Sequence, residues 1–388
     1  MQTNSNLKNY HILQGFSLSR YIGDALVYAF LALYFNSLNL PAIQTGTLLA
    51  SVPTMAICGN IIMSLISKST KRNLLLMKLI MPFEMIGMVL IGFFDTFIPV
   101  LICSLLMNIC NSCFYSLLDG VAGEVSASSN KKYAGIRIFG SIAYFIGSFS
   151  GGFLINSINY KFTFIIAATT YLIGYIIIYF INSNELNSEQ NNEQNSNFLK
   201  VLFSNKTFIF YLVFYTCVMS MNNITDNFFS LFAKDIKGMP EDIYGIVYSS
   251  MILVEVIMMF ISLKIKKINN KLILIIASLF LIARPLTLFF EIPYFMLFIV
   301  PIFRGIGWGL ILAYNIVTLN TFLESKYITK AILVLTIFTQ ISNMILNQFG
   351  PIIVEKTSYN IFFIILATIG TIGLISIAIN KIKRKTEN

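Results

Sequence analysis

Nine ionisable side chains interrupt otherwise apolar stretches of this chain: Arg20, Asp24, Glu84, Asp119, Arg137, Asp226, Glu255, Arg284 and Arg304. Carboxylates accept hydrogen bonds and guanidinium groups donate them in pairs, so such a set can hold the hydroxyls or amides of a polar solute. A carboxylate withdrawn from water can also carry a proton. The inventory suits neither metal binding nor nucleophilic catalysis. The single histidine, His11, precedes the first apolar run, and the five cysteines all lie inside apolar runs, so no zinc or haem ligand set assembles. Cys110 and Cys113 have a CxxC spacing, but in an apolar helix without a neighbouring base they read as packing residues. No phosphate loop, nucleophile motif or sizeable polar domain supports an enzyme. No cofactor is expected, a coupled proton apart.

Spacing sorts these groups into pairs. Asp119 and Arg137 lie equally far from a loop centred on Ser128, hence at one depth on consecutive helices, and are expected to face each other as an ion pair. Arg284 and Arg304 stand similarly across a turn near Ile292, which calls for anionic partners, and Asp226 and Glu255 are the acids available. Arg20 and Asp24, at i and i+4, share one helix face and could simply neutralise each other. Glu84 has no partner in its own helix and reads equally as a protonated structural acid or as a coupling group. Gln340, Asn343 and Asn347 form a polar row at i, i+3 and i+7, either lining a cavity or bonding between helices.

The elements that must position these groups are long and apolar. Of 388 residues 56% are hydrophobic and only 11% charged, too apolar for a water-soluble core. Continuous apolar runs, longer than the roughly 18 residues that mark a membrane span, cover 14–38, 43–66, 73–94, 97–122, 135–158, 160–182, 207–233, 241–263, 271–290, 294–322, 329–353 and 358–380. Their continuity excludes barrel strands, which alternate in short pieces. The fold class is therefore all-α, a polytopic membrane protein of about twelve helices. The first run lacks a signal-peptide core and cleavage site and is expected to be retained.

Residues 183–205 are the long polar segment and divide the runs six and six, giving bundles at 1–182 and 206–388 joined by a linker. A shift of 199 positions lays Pro240 on Pro41, Gly245 on Gly46, Lys267 on Lys68, Lys330 on Lys131 and Gly350 on Gly151. This internal repeat predicts two pseudo-symmetric six-helix bundles, as in secondary transporters. Lys68, Lys71, Arg72, Lys131, Lys132, Lys200, Lys206, Lys264, Lys266, Lys267, Lys271, Lys326, Lys330 and the tail Lys381 to Lys385 fall on one side, against Lys161, Lys234, Lys237 and Lys356 on the other. Both termini are thus expected in the cytoplasm. The net charge of +10 is accounted for by this anchoring, so no nucleic-acid partner is implied. The expected setting is a bacterial cytoplasmic (inner) membrane, with a monomeric chain facing lipid and a small-molecule substrate.

One stretch is recognisable as well as patterned. Asp119 is followed eighteen positions later by Arg137-Ile138-Phe139-Gly140-Ser141-Ile142-Ala143-Tyr144. This resembles the oligosaccharide and nucleoside proton-symporter branch of the major facilitator superfamily, to which lactose permease belongs. The resemblance implies that Asp119 and Arg137 bond sugar hydroxyls while Tyr144 stacks on the sugar face. The run Ile257 to Phe260 through Lys267-Ile268 to Arg284 is similar to the branch's helices eight and nine, and Asp226 falls on a helix-seven acid. The chain also departs from the pattern. Arg304 stands where the branch has a histidine, Gly307 where it has the proton-carrying acid, and Asn223 and Thr339 replace both ends of a second ion pair. With Gly307 in that place, Glu255 is the first candidate proton carrier, ahead of Asp226 and Glu84, with Asp24, Arg284 and Arg304 as further coupling or gating groups. The loop Ser67 to Arg72 likewise lacks the acid of the superfamily's gating signature. The expectation is alternating-access movement of a saccharide, glycoside or nucleoside bound between the halves, possible proton coupling included. A uniporter or amphiphile exporter of the same fold, and a membrane solute sensor, are the alternatives.

Overall fold

The computed structural model of the chain describes residues 2–67, 69–182, 198–262 and 269–380. Lys68, the polar linker through residue 197, Lys264, Lys266, Lys267, Ile268 and the basic tail from Lys381 lie outside the described residues. Among those described, the regular elements are all helices: α1 (Gln2–Tyr28), α2 (Leu31–Ser37), α3 (Ala42–Ile66), α4 (Thr70–Ile91), α5 (Phe97–Ser128), α6 (Ala134–Ile178), α7 (Phe198–Ser204), α8 (Lys206–Asp235), α9 (Glu241–Ser262), α10 (Asn270–Phe289), α11 (Met296–Phe322), α12 (Ser325–Lys356) and α13 (Tyr359–Ile379). In hydrocarbon every backbone N–H and C=O must be satisfied within the segment, and helices achieve this without neighbours.

Eleven of the continuous helical stretches are long and apolar enough to span a bilayer, α1 and α2 counting as one. One of them crosses twice. The 45 residues of α6 would extend roughly 70 Å at 1.5 Å per residue, about twice the hydrocarbon thickness. The helix breaks at Asn159, whose φ of 73° and ψ of 174° leave the helical region. Asparagine tolerates positive φ better than most residues. Its carboxamide oxygen then accepts from the Phe162 amide at 3.3 Å, capping the returning arm. The twelve crossings expected from sequence follow, including the boundary between 158 and 160.

Other boundaries have equally local causes. Ser69 accepts from the Arg72 amide at the start of α4, Asn205 from Thr207 and Phe208 at the start of α8, Asn269 from Lys271 before α10, and Ser358 from Ile361 before α13. The expected linker ends earlier than residue 205, because Phe198–Ser204 already forms the short helix α7. Apolar Leu202 is its buried residue, which explains why this end of the segment does not behave as polar chain.

The chain forms two compact units, residues 1–193 with 239–249, and residues 194–238 with 250–388. Large apolar side chains face outward, among them Leu65 at 72% and Phe180 at 66% exposure, while Arg20 and Glu84 are at 0%. That inversion is what a lipid solvent imposes. In the first unit α1 packs along both arms of α6. Close approach is allowed by Gly147, where a Cβ would stand 2.6 Å from the Ile22 carbonyl oxygen and 2.7 Å from the Ala25 Cβ. In the second unit α8 packs on α10, α12 and α13, with the Phe228 and Phe362 rings 4.4 Å apart.

Gly147→Ala is expected to lower stability by about 1–3 kcal/mol through overpacking at the α1–α6 contact. Gly123→Ala, where an added Cβ meets nothing within 4 Å, should be neutral or stabilising by up to about 1 kcal/mol. Thermal unfolding of the two variants in detergent checks the contrast.

Candidate functional site

The nine charged residues gather into three groups, two held together by ion pairs and one without an ion pair among the described residues. The first is buried among α1, α4, α5 and α6. Arg20 Nη2 donates to Glu84 Oε1 at 2.7 Å and lies 3.5 Å from Asp24 Oδ1. The i,i+4 pair expected within one helix is therefore the longer contact, and the shorter one reaches across to α4. Asn111 donates to both acids, at 3.2 Å to Asp24 and 3.0 Å to Glu84. The hydroxyls of Tyr115 and Tyr171 donate to Asp24. Around them the Arg20 guanidinium lies 3.8 Å from the Tyr171 ring centroid and 4.5 Å from that of Phe114, cation–π contacts strengthened by the absence of water.

The second group lies within the other unit. Asp226 on α8 accepts from Arg284 on α10 and, at 3.4 Å, from Arg304 on α11. Arg304 also donates to Glu255 on α9 at 2.5 Å. The chain of contacts Arg284–Asp226–Arg304–Glu255 alternates in sign and is neutral with both acids ionised. Phe229 and Trp308 rings border the two guanidiniums, at 5.1 and 5.8 Å. Arg304, where the family pattern has histidine, is what brings the fourth charge into this balance.

The third group is open. Asp119 and Arg137 are both exposed, and the ion pair expected between them is not formed. Asp119 instead accepts from the Tyr133 hydroxyl at 2.6 Å. Tyr133 precedes Arg137 by four residues, and its carbonyl accepts from the Arg137 amide at 3.2 Å, so acid and guanidinium share one neighbourhood through it. Burial and then the Asp119 charge hold the Tyr133 phenol well above the usual tyrosine range, against the opposing pull of Arg137. It therefore remains a donor at neutral pH. Among the described residues the Arg137 side chain makes no hydrogen bond or ion pair. Gly140, one turn further along α6, lies against the Tyr21 ring, 3.0 Å from where its Cβ would be. Tyr144, two turns beyond Arg137, is half-buried with its ring 6.4 Å from that of Tyr248.

Tyr21, Asn111, Tyr115, Tyr133 and Tyr171 were not singled out in the sequence, yet a signal was there. Asn111, Tyr115 and Asp119 recur every four residues along α5, a polar stripe on an apolar helix, as do Arg20, Asp24 and Tyr28 on α1. The amide row on α12 divides: Asn343 donates to Gln340 in its own helix at 3.1 Å, and Asn347 accepts from Asn227 on α8 at 3.1 Å. No group of three or more metal-ligating side chains occurs among the described residues.

Asp226 touches both arginines of its network and Glu255 only one. Asp226→Ala is accordingly expected to cost about 3–5 kcal/mol, the range for stranding a buried partner, and Glu255→Ala clearly less, since Arg304 keeps Asp226. The ranking of their melting temperatures in detergent checks this.

Comparison with known proteins agrees with this architecture. The sequence pattern of the Major Facilitator Superfamily matches residues 15–327. A Bacillus subtilis (strain 168) protein described as the uncharacterized transporter YwbF is 24% identical over 247 residues, a match spanning 62% of this chain and 60% of that relative's length. Among solved structures, the nucleoside transporter NupG superposes with a TM-score of 0.77 at 14% identity, over 95% of this chain and 98% of that one. A POT family transporter in complex with 5-aminolevulinic acid gives 0.77 at 11% identity, over 96% of each. Twelve crossings, buried charge networks and a family pattern covering most of the sequence lead to one assignment: this multi-pass membrane chain belongs to the Major Facilitator Superfamily.

Proposed function

We propose that the protein is a secondary transporter that carries a small, neutral, polar solute across the cytoplasmic membrane of a bacterium by alternating access, driven by protons. The solute is a saccharide, glycoside or nucleoside, and the chain acts as a monomer with both termini in the cytoplasm. The observation that carries this reading is the contrast between the closed charge groups and the open one. Where Arg20, Arg284 and Arg304 are each committed to carboxylates, Arg137 is uncommitted and exposed beside an acid held only by a tyrosine hydroxyl. An exposed guanidinium with no carboxylate on it is available to a ligand that accepts from it and donates to Asp119. Vicinal hydroxyls do both at once. Tyr144, two turns away on the same helix face, offers an aromatic surface for the apolar face of a sugar ring. The shared fold with a nucleoside transporter supports keeping nucleosides in the class.

In proteoliposomes, uptake of a member of this class is expected to rise when an inward proton gradient or an inside-negative potential is imposed. Arg137→Ala should weaken that solute's apparent affinity roughly ten- to a hundredfold, the worth of a charged hydrogen bond of about 1.5–3 kcal/mol. Uptake of the solute indifferent to either gradient would contradict the symport reading and favour a uniporter. Unaltered affinity in the variant would contradict the site.

A further inference from the structure

We infer that the buried group in the first unit binds one exchangeable proton on Glu84, and that this is the proton moved in the transport cycle; the second half of the inference rests on the symport reading above. The argument is a charge count made where water cannot correct it. Asp24 and Glu84 are two carboxylates against one guanidinium, Arg20, and the three residues are at most 1% exposed. With both acids ionised the group would hold an uncompensated negative charge in a low-dielectric interior, a state that neutralises by taking up a proton. The other titratable neighbours do not alter the count. Tyr115 and Tyr171 donate to Asp24 through their phenol hydroxyls, Tyr21 and Tyr28 on α1 and Cys110 and Cys113 on α5 add phenols and thiols and no cation, and Asp119 and Arg137 are exposed and opposite in sign.

Hydrogen bonding selects which acid holds the proton. Asp24 is saturated as an acceptor, with Tyr115, Tyr171, Asn111 and the Arg20 charge all on its two oxygens. Each of its oxygens already accepts from a donor, so an added hydrogen would have to displace one. Glu84 accepts from Arg20 and Asn111 on Oε1 alone, while its Oε2 is buried without a hydrogen-bond partner. A bare carboxylate oxygen there would be an unsatisfied charge; a hydroxyl is far less costly. Arg20 Nε and Nη1 and the Tyr28 hydroxyl, one turn beyond Asp24, are further buried polar groups without a hydrogen-bond partner. In the other unit each of the acids Asp226 and Glu255 has a guanidinium to match it, Arg284 and Arg304. Glu255, the first candidate from sequence, is therefore the less suitable carrier.

Infrared spectroscopy of the purified, substrate-free protein near pH 7 reads the site directly, because a protonated carboxylic acid has a C=O stretch separate from those of carboxylates and amides. The wild type should show one such buried band, shifted by deuterium exchange, lost in Glu84→Gln and unchanged in Glu255→Gln. If Glu84→Gln does not fold, Asp24→Asn serves: it leaves Glu84 matched by Arg20, so the band should again vanish. A band absent from the wild type, or surviving in either first-unit variant, overturns the proton site. In proteoliposomes Glu84→Gln should still exchange substrate but lose the gradient-driven accumulation, about fiftyfold for one proton moving down 100 mV, falling to equilibrium. Accumulation retained in Glu84→Gln overturns the coupling role. A protein with the Glu84 band that concentrates no solute at all contradicts the symport reading while leaving the proton site in place.

Discussion

A charge placed among lipid-facing helices must find an opposite charge, a hydrogen-bonding shell or water, because the bilayer supplies none of them. Nearly every organising feature of this chain follows from that constraint. Arg20 ties α1 to α4, and Asn111, Tyr115 and Tyr171 bring α5 and α6 to the same carboxylates. Asp226 ties α8 to α10 and α11, and Glu255 adds α9. Since no hydrophobic drive holds helices together in hydrocarbon, these polar contacts and the close helix approaches at residues such as Gly147 carry a large share of the specificity of packing.

The constraint also separates structural charge from functional charge. In the second unit the acids Asp226 and Glu255 and the guanidiniums Arg284 and Arg304 balance in number. The first-unit cluster has one acid more than it has guanidiniums, the demand we assign to a proton, and the Asp119–Arg137 neighbourhood has a donor without an acid on it and a half-engaged acceptor, the demand we assign to a polyhydroxy solute. On the proposed reading, proton and solute fall on one set of adjoining helices: Asn111, which donates to Glu84, and Asp119, assigned to the solute, lie two turns apart on α5. A change in one is mechanically close to the other, the arrangement that coupling requires.

Much of the fold was legible because hydropathy and length dominate it: twelve crossings and the break near residue 159 both follow from composition along the chain. What escaped were contacts between residues distant in sequence. Arg20 and Glu84 are 64 positions apart, and nothing in either helix alone signals that Glu84 outcompetes the i,i+4 acid Asp24. The expected Asp119–Arg137 pair failed for a local reason, since Tyr133 is placed at the start of α6 to take the carboxylate first. Likewise α7 arose inside the expected linker because a short apolar segment, Phe198 to Phe203, ends the polar stretch.

The central claim is that Asp119 and Arg137 are kept unpaired for a ligand. Thermal-shift measurement on the detergent-purified protein against saccharides, glycosides and nucleosides tests it most directly, with the wild type beside Asp119→Asn and Arg137→Ala. The account predicts that at least one compound raises the melting temperature of the wild type and of neither variant, although both variants stay folded. Stabilisation that survives in both variants would place the ligand elsewhere and contradict the claim.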